Sequence, residues 1–194
     1  MASARSSRAW LLGMAAGAMA GLAACSGGGG SGGGERRFSY ADAVEVPTPV
    51  TERDQLAAVL AGYAHRNGLG FEDSSPRAQR HSDGEQTLAF KIERPLTNGR
   101  LWTEVQVSAV GNGPALITFA RPLDRGIEAD ADAGRAEVLG KLRQRWPGSA
   151  KVPVLPDGGI PRQGDLRHTP DGLRIARAAA ARYRLPADSP LLAP

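Results

Sequence analysis

Apolar and polar residues alternate on both sides of Asn98-Gly99, a dipeptide that favours a tight hairpin turn. With those two residues as the loop, Ile92 faces Val105, Phe90 faces Val107 and Leu88 faces Ala109, so all six apolar side chains share one face. Lys91, Glu93, Trp102, Glu104, Gln106 and Ser108 fall on the other, and Glu93 then stands opposite Glu104. A slip of one residue would turn the whole apolar set to water, so turn chemistry and pattern support each other. Gly111-Asn112-Gly113-Pro114 returns the chain into a third strand, Leu116 to Arg121. A loop of odd length is favoured there, because it buries Ile117 and Phe119 instead of Leu116, Thr118 and Ala120.

Helical spacing flanks this meander. Thr51-Glu52-Arg53-Asp54 has a capping-box pattern, and Leu56, Val59, Leu60 and Tyr63 follow on one face, with Asn67-Gly68 as the stop. A second helix is predicted from about Ile127 to Trp146, with Ile127, Ala131, Val138, Leu142 and Trp146 near one stripe and Pro147-Gly148 at its end. Glu35 to Pro49 reads as a loop or single edge strand, and Gly70 to Gly84 as a loop.

After Gly148 prolines recur. Lys151 to Leu155 could form a short edge strand, and Thr169-Pro170-Asp171 reads as the start of an Ala- and Arg-rich helix over 170–184. The elements predict an α+β fold: a two-layer sandwich in which a three-stranded antiparallel meander is flanked by two helices (α-β-β-β-α), with a Pro-rich C-terminal extension carrying one helix. The domain is placed at 47–148 and the extension at 149–194.

The N-terminal end has a different pattern. Arg5 and Arg8 precede an uncharged run, Ala9 to Ala24, whose Trp10, Leu11, Leu12, Met14, Met19 and Leu22 are diluted by glycines and alanines. That is the layout of a secretory signal, shorter and less apolar than the roughly 20 residues a membrane span needs. It ends in Leu22-Ala23-Ala24-Cys25, which resembles the lipobox of bacterial lipoproteins, and Cys25 is the only cysteine of the chain. The resemblance covers only the first 26 or so residues. It implies a signal peptide over 1–24, cleavage before Cys25, and acylation of Cys25 as the lipid attachment residue, with three chains, palmitate-like, holding the protein in the bilayer. Ser26, in place of the Asp associated with inner-membrane retention, implies the outer membrane in a two-membrane cell, with the domain facing the periplasm.

Residues 25–46 then comprise the lipidated cysteine, a tether and a loop. Ser26 to Gly34, SGGGGSGGG, cannot bury apolar surface and spans roughly 15–18 Å as a flexible coil. It lacks the Gly-Lys-Ser/Thr close of a phosphate-binding loop. Cleavage also changes the charge argument: the leader takes Arg5 and Arg8 with it, leaving 22 cations against 20 acids, a formal +2 in place of +4. A nearly neutral exported chain has no footprint for nucleic acid. With its one cysteine acylated it has no disulfide and no cysteine zinc site.

Candidate chemistry is sparse. His65, His81 and His168 have no metal-ligand spacing, and there is no G-x-S-x-G elbow. Glu128, Asp130 and Asp132 fit the first turns of a helix better than a calcium loop, since position 140 is Gly where a bidentate Glu would be needed. Arg174, Arg177 and Arg184 are expected along one side of the last helix. The possible binding surface is Trp102 with Lys91, Glu93, Glu104 and Gln106, an amphipathic ring among polar groups on rigid strands. Arg94 or Arg121 would relieve the facing glutamates, and the extension could cover this face instead. The expectation is a non-enzymatic envelope lipoprotein acting as a binding or scaffold module, without cofactor or metal, whose partners are the bilayer and an envelope protein or wall polymer. A His/carboxylate hydrolase and a structural spacer between membrane and wall are the alternatives.

Overall fold

The structure, a computed structural model, describes residues 39–81, 87–96 and 98–194, without the side chains of Arg80 and His81. The leader, Cys25 and the Gly/Ser tether lie outside the described residues.

The chain forms β1 (Tyr40–Val46), α1 (Arg53–Arg66), β2 (Gly70–Asp73), α2 (Ser75–His81), β3 (Thr87–Pro95), β4 (Leu101–Val110), β5 (Ala115–Ala120), α3 (Glu128–Arg145), β6 (Ala150–Lys151), β7 (Leu166–Thr169) and β8 (Gly172–Ile175). The predicted three-stranded sandwich is therefore corrected. The main sheet has six strands in the order β2-β3-β4-β5-β1-β6, and β7-β8 form a second sheet of two. One of the added strands, β2, comes from a segment with little apolar content. β2 contributes Phe71, whose ring lies 5.4 Å from that of Phe90. β1 is not an edge strand: it pairs antiparallel with β5 along its length and with β6 at Val44 and Glu45. Gly70 to Gly84 likewise is not one loop, because it holds β2 and α2. Ser74 starts α2 by accepting at its carbonyl from the Arg77 and Ala78 N–H groups, its own N–H donates to the Ala89 carbonyl, and Asp73 accepts from the Ser75 N–H at 2.8 Å.

The meander register holds where apolar pairs set it: Leu88 with Ala109, Phe90 with Val107, Ile92 with Val105. Its turn is not the expected two-residue loop. Leu96 N–H donates to the Arg100 carbonyl at 2.7 Å, which makes three residues of loop, and Gly99 takes the left-handed φ of 75°. The extra residue is balanced on β4 by a bulge, since Ile92 pairs with Val105 but Glu93 with Thr103. Glu104 is the unpaired residue between them. The β4–β5 turn has the odd length, with Val107 opposite Ile117 and Val105 opposite Phe119, and both Ile117 and Phe119 are buried.

Helices α1 and α3 share one core with one face of the sheet, through Leu56, Leu60, Tyr63, Val138, Leu142 and Trp146 against Val44, Phe90, Ile92, Val105, Val107 and Ile117. Each such side chain contributes about 1.5–3 kcal/mol by leaving water. The capping box at Thr51 does not form: a 3-10 turn, Val50–Glu52, precedes α1, and its N-cap has no side-chain bond. At the other end Gly68 has φ 65°, and Leu69 and Gly68 donate to the carbonyls of Ala64 and His65, which closes the helix as a Schellman motif. Buried Arg53 donates to the carbonyls of Gly111 and Gly113, fixing the start of α1 to the β4–β5 turn.

The residues after Gly148 pack on the sheet. Val152, Leu166, Leu173, Ile175, Ala179 and Leu192 form a second core with Ala43 and Leu116, side chains of the opposite sheet face. The helix expected over 170–184 is not there. Leu166 to Ile175 is a hairpin whose two-residue turn is Pro170-Asp171, and only Arg177–Tyr183 coils, as a 3-10 helix. Thr-Pro-Asp-Gly is a turn sequence before it is a helix start. Gly172 takes φ 114°, closed to other residues without strain, and Thr169 Oγ1 donates to its carbonyl at 2.8 Å. The tail completes this layer, because Ile175 N–H donates to the Leu191 carbonyl and accepts at its own carbonyl from Ala193 N–H.

Candidate functional site

The bulge at Glu104 decides which candidate side chains reach the surface. On its C-terminal side β4 sends Gln106 outward, and Lys91 and Glu93 of β3 lie beside it on the same outer face. On its N-terminal side the alternation is offset, so Trp102 turns inward, as does Glu104 itself. The proposed surface of five residues is thus divided.

On the outer face, Lys91 Nζ sits 2.8 Å from Glu72 Oε2 and 3.1 Å from Glu93 Oε1. The hydrogen bond to Glu72, then that to Glu93, holds the Lys91 ammonium above its usual range. Gln106 Oε1 accepts from the Tyr40 hydroxyl at 3.4 Å, and Ser108 is exposed further along β4. Glu72 was missed in the sequence because Gly70 to Gly84 carried no strand pattern; only the pairing of Glu72 with Lys91 brings it to this ladder. The C-terminal layer covers the neighbouring half of the face, over Ala43 and Leu116.

Inward, Trp102 is 4% exposed and packs with Ala120, Ala131, Leu96 and Ile127 under the start of α3. It is a core residue and not a recognition ring. Glu104 is 2% exposed. Its Oε1 accepts from the Tyr63 hydroxyl at 2.8 Å and its Oε2 from Arg94 Nε at 2.7 Å. Burial first, and then the bond to Glu104, push the Tyr63 phenol far above its usual range, so it remains a donor. Glu104 and Glu93 are not opposed as the unbulged register required, since Glu93 pairs with Thr103. Arg94 is the cation that balances Glu104; Arg121 Nε instead donates to the Tyr40 carbonyl.

At the end of the sheet where β4 begins and β5 finishes, an open groove of about 540 Å³ is lined by Leu96, Asn98, Arg100, Leu101, Leu123, Asp124 and Arg125. Leu101 and Leu123 are 62% and 61% exposed. Sequence reasoning passed over both, because each looks like an ordinary strand end until the groove between them is visible.

Of the histidines, His168 Nε2 stands 3.6 Å from Glu45 Oε1 on the open surface, with 75% of its side chain exposed. Glu45 also accepts from Gln163 at 3.4 Å. His65 lies exposed on the last turn of α1, and the His81 side chain is outside the description. Among the described residues no cluster of three His, Cys, Asp or Glu could hold a metal ion, and no helix is long and apolar enough to cross a membrane. Glu128 and Asp130 do occupy the first turn of α3, and Asp132 pairs with Arg135 at 3.0 Å. The arginines of the last segment are anchors instead of a common face: Arg174 donates to the Pro190 carbonyl, and Arg177 to that of Ala187 at 3.3 Å. Arg184 ends the 3-10 helix with a left-handed φ of 54°.

No protein-family model matches the chain, and neither a curated protein nor a solved structure matches it significantly.

Proposed function

We propose that the protein is a membrane-anchored envelope lipoprotein, held through acylated Cys25 and facing the periplasm, whose domain acts as a non-enzymatic binding or scaffold module. The observation that carries the binding surface is the division of the outer sheet face. One half is sealed by the C-terminal layer over Ala43 and Leu116, whereas the other presents Glu72, Lys91, Glu93, Gln106 and Ser108. Strands on a six-stranded sheet hold such groups rigidly, which lowers the entropic cost of ordering them against a partner. The alternating acid, base and acid suit a polar partner, an envelope protein or a wall polymer, more than an apolar one. Trp102 and Glu104, being buried, have no part in this surface.

Site-specific photocrosslinking in the native envelope tests the reading. A crosslinker at Ser108, exposed on the open half, is expected to give a discrete product that the same group at Arg143, exposed on α3, does not give. Loss of that product in Lys91→Ala/Gln106→Ala would support the surface. Equal products from both positions, or none from Ser108, would count against it.

A further inference from the structure

We propose that the loop end carrying Leu101, Leu123, Arg100 and Arg125 docks onto an anionic phospholipid bilayer; this rests on the lipoprotein reading for the membrane concerned. Leu101 and Leu123 are two of the three large apolar side chains exposed among the described residues, and they line one groove. Isolated exposed leucines need no explanation, but a pair sharing a groove with two arginines is a patch with both an apolar and a cationic component. Asp124 is the one acid in the lining, and its carboxylate is engaged by the Gly126 N–H at 2.9 Å. Two arginines against one carboxylate leave the groove with a net positive charge.

The chain itself favours lipid over a soluble partner as the occupant. It enters the described domain at this same end. The Ser39 carbonyl accepts from Arg121 N–H at 2.7 Å, Tyr40 pairs with Ala120, and only Pro122 separates Arg121 from Leu123. A chain that enters beside Leu123 and leads back to a lipid anchor makes this end the shorter reach to the bilayer, the one at Asn112 the longer. Leucines would then enter the headgroup boundary, with arginines on phosphates.

The test uses the acylated protein purified from bacterial membranes and reconstituted in phosphatidylcholine vesicles with or without phosphatidylglycerol. Acylation blocks Cys25, so Asn98→Cys or Asn112→Cys gives a single thiol for an environment-sensitive fluorophore, at opposite ends of the sheet. The label at 98 should shift to the blue on phosphatidylglycerol vesicles, and the label at 112 should not. Each arginine contributes roughly fivefold to the docked-to-free ratio at low salt, so Arg100→Gln/Arg125→Gln should lose most of the shift. Leu101→Ser/Leu123→Ser should abolish it without changing the far-ultraviolet circular dichroism. A label at 98 that stays in water, an equal shift without anionic lipid, a shift that survives the leucine substitutions, or one that needs an added soluble protein would each overturn the proposal. The mass of the same sample is read in parallel. An unacylated chain contradicts the anchor, and is thereby distinguished from an acylated chain that fails to dock.

Discussion

Gly134 of α3 lies against the hydroxyl of Tyr63 so closely that a Cβ at position 134 would overlap the phenolic oxygen and reach 3.0 Å from Glu104 Oε1. The glycine thus admits the buried Tyr63–Glu104–Arg94 network between α1, α3 and the sheet. Gly134→Ala would improve helix propensity by up to about 1 kcal/mol, yet it overpacks a site closed on all sides. The expected net result is destabilisation by about 1–3 kcal/mol, read from the urea midpoint.

Arg94 holds the charge of Glu104 in a nearly dry site. Arg94→Leu should cost about 3–5 kcal/mol because it strands the carboxylate. Arg94→Leu/Glu104→Leu should recover much of that loss, since a missing pair is less costly than a broken one. Equal losses in the single and double variants, measured by chemical denaturation, would contradict this view of the network.

The same network gives an alkaline signature. Tyr63 is raised by burial and by Glu104, so in the folded protein it keeps its proton while an unfolded tyrosine loses it near pH 10. The stability it contributes is complete below pH 10 and falls as pH rises through the folded value. Tyr63→Phe should therefore decline less steeply above pH 10 than the wild type in a comparison of denaturation free energies.

On the C-terminal layer the sign is reversed. Asp165 is lowered by the bond from Tyr183, at 2.5 Å, and then by Arg182. A depressed carboxyl contributes stability above its unfolded value and loses it as pH falls through the folded one. Tyr183→Phe should move the acid-unfolding midpoint to higher pH, and an unchanged midpoint would show the bond to be inert.

Trp102→Ala separates packing from recognition. As a buried residue beneath α3, Trp102 should cost about 3–5 kcal/mol when truncated, with partner crosslinking at Ser108 retained under conditions where the variant is folded. Lost crosslinking in a fully stable variant would restore the ring to the binding surface.

Local signals were readable where chemistry and periodicity agreed. The pairs Ile92–Val105 and Phe90–Val107 and the burial of Ile117 and Phe119 follow from alternation beside glycine turns. The bulge was not readable, because Glu104 turns inward to reach Tyr63, 41 residues away in the chain, and has room only because residue 134 is Gly. That single offset removes Trp102 and Glu104 from the expected surface while leaving Lys91, Glu93 and Gln106 on it. β2 was hidden because one Phe carries its packing. The β7–β8 hairpin was hidden because alanines and arginines after Ile175 suggested a helix, whereas the structural information lay in Pro170-Asp171-Gly172.

The anchor at Cys25 underlies both the proposed function and the membrane docking, and intact-mass spectrometry of the mature protein with sequencing of its N-terminal peptide tests it most directly. The account predicts a chain that begins at Cys25 and carries a diacylglyceryl group and an N-acyl chain. A mature protein that begins elsewhere, or a free Cys25 thiol, would contradict it.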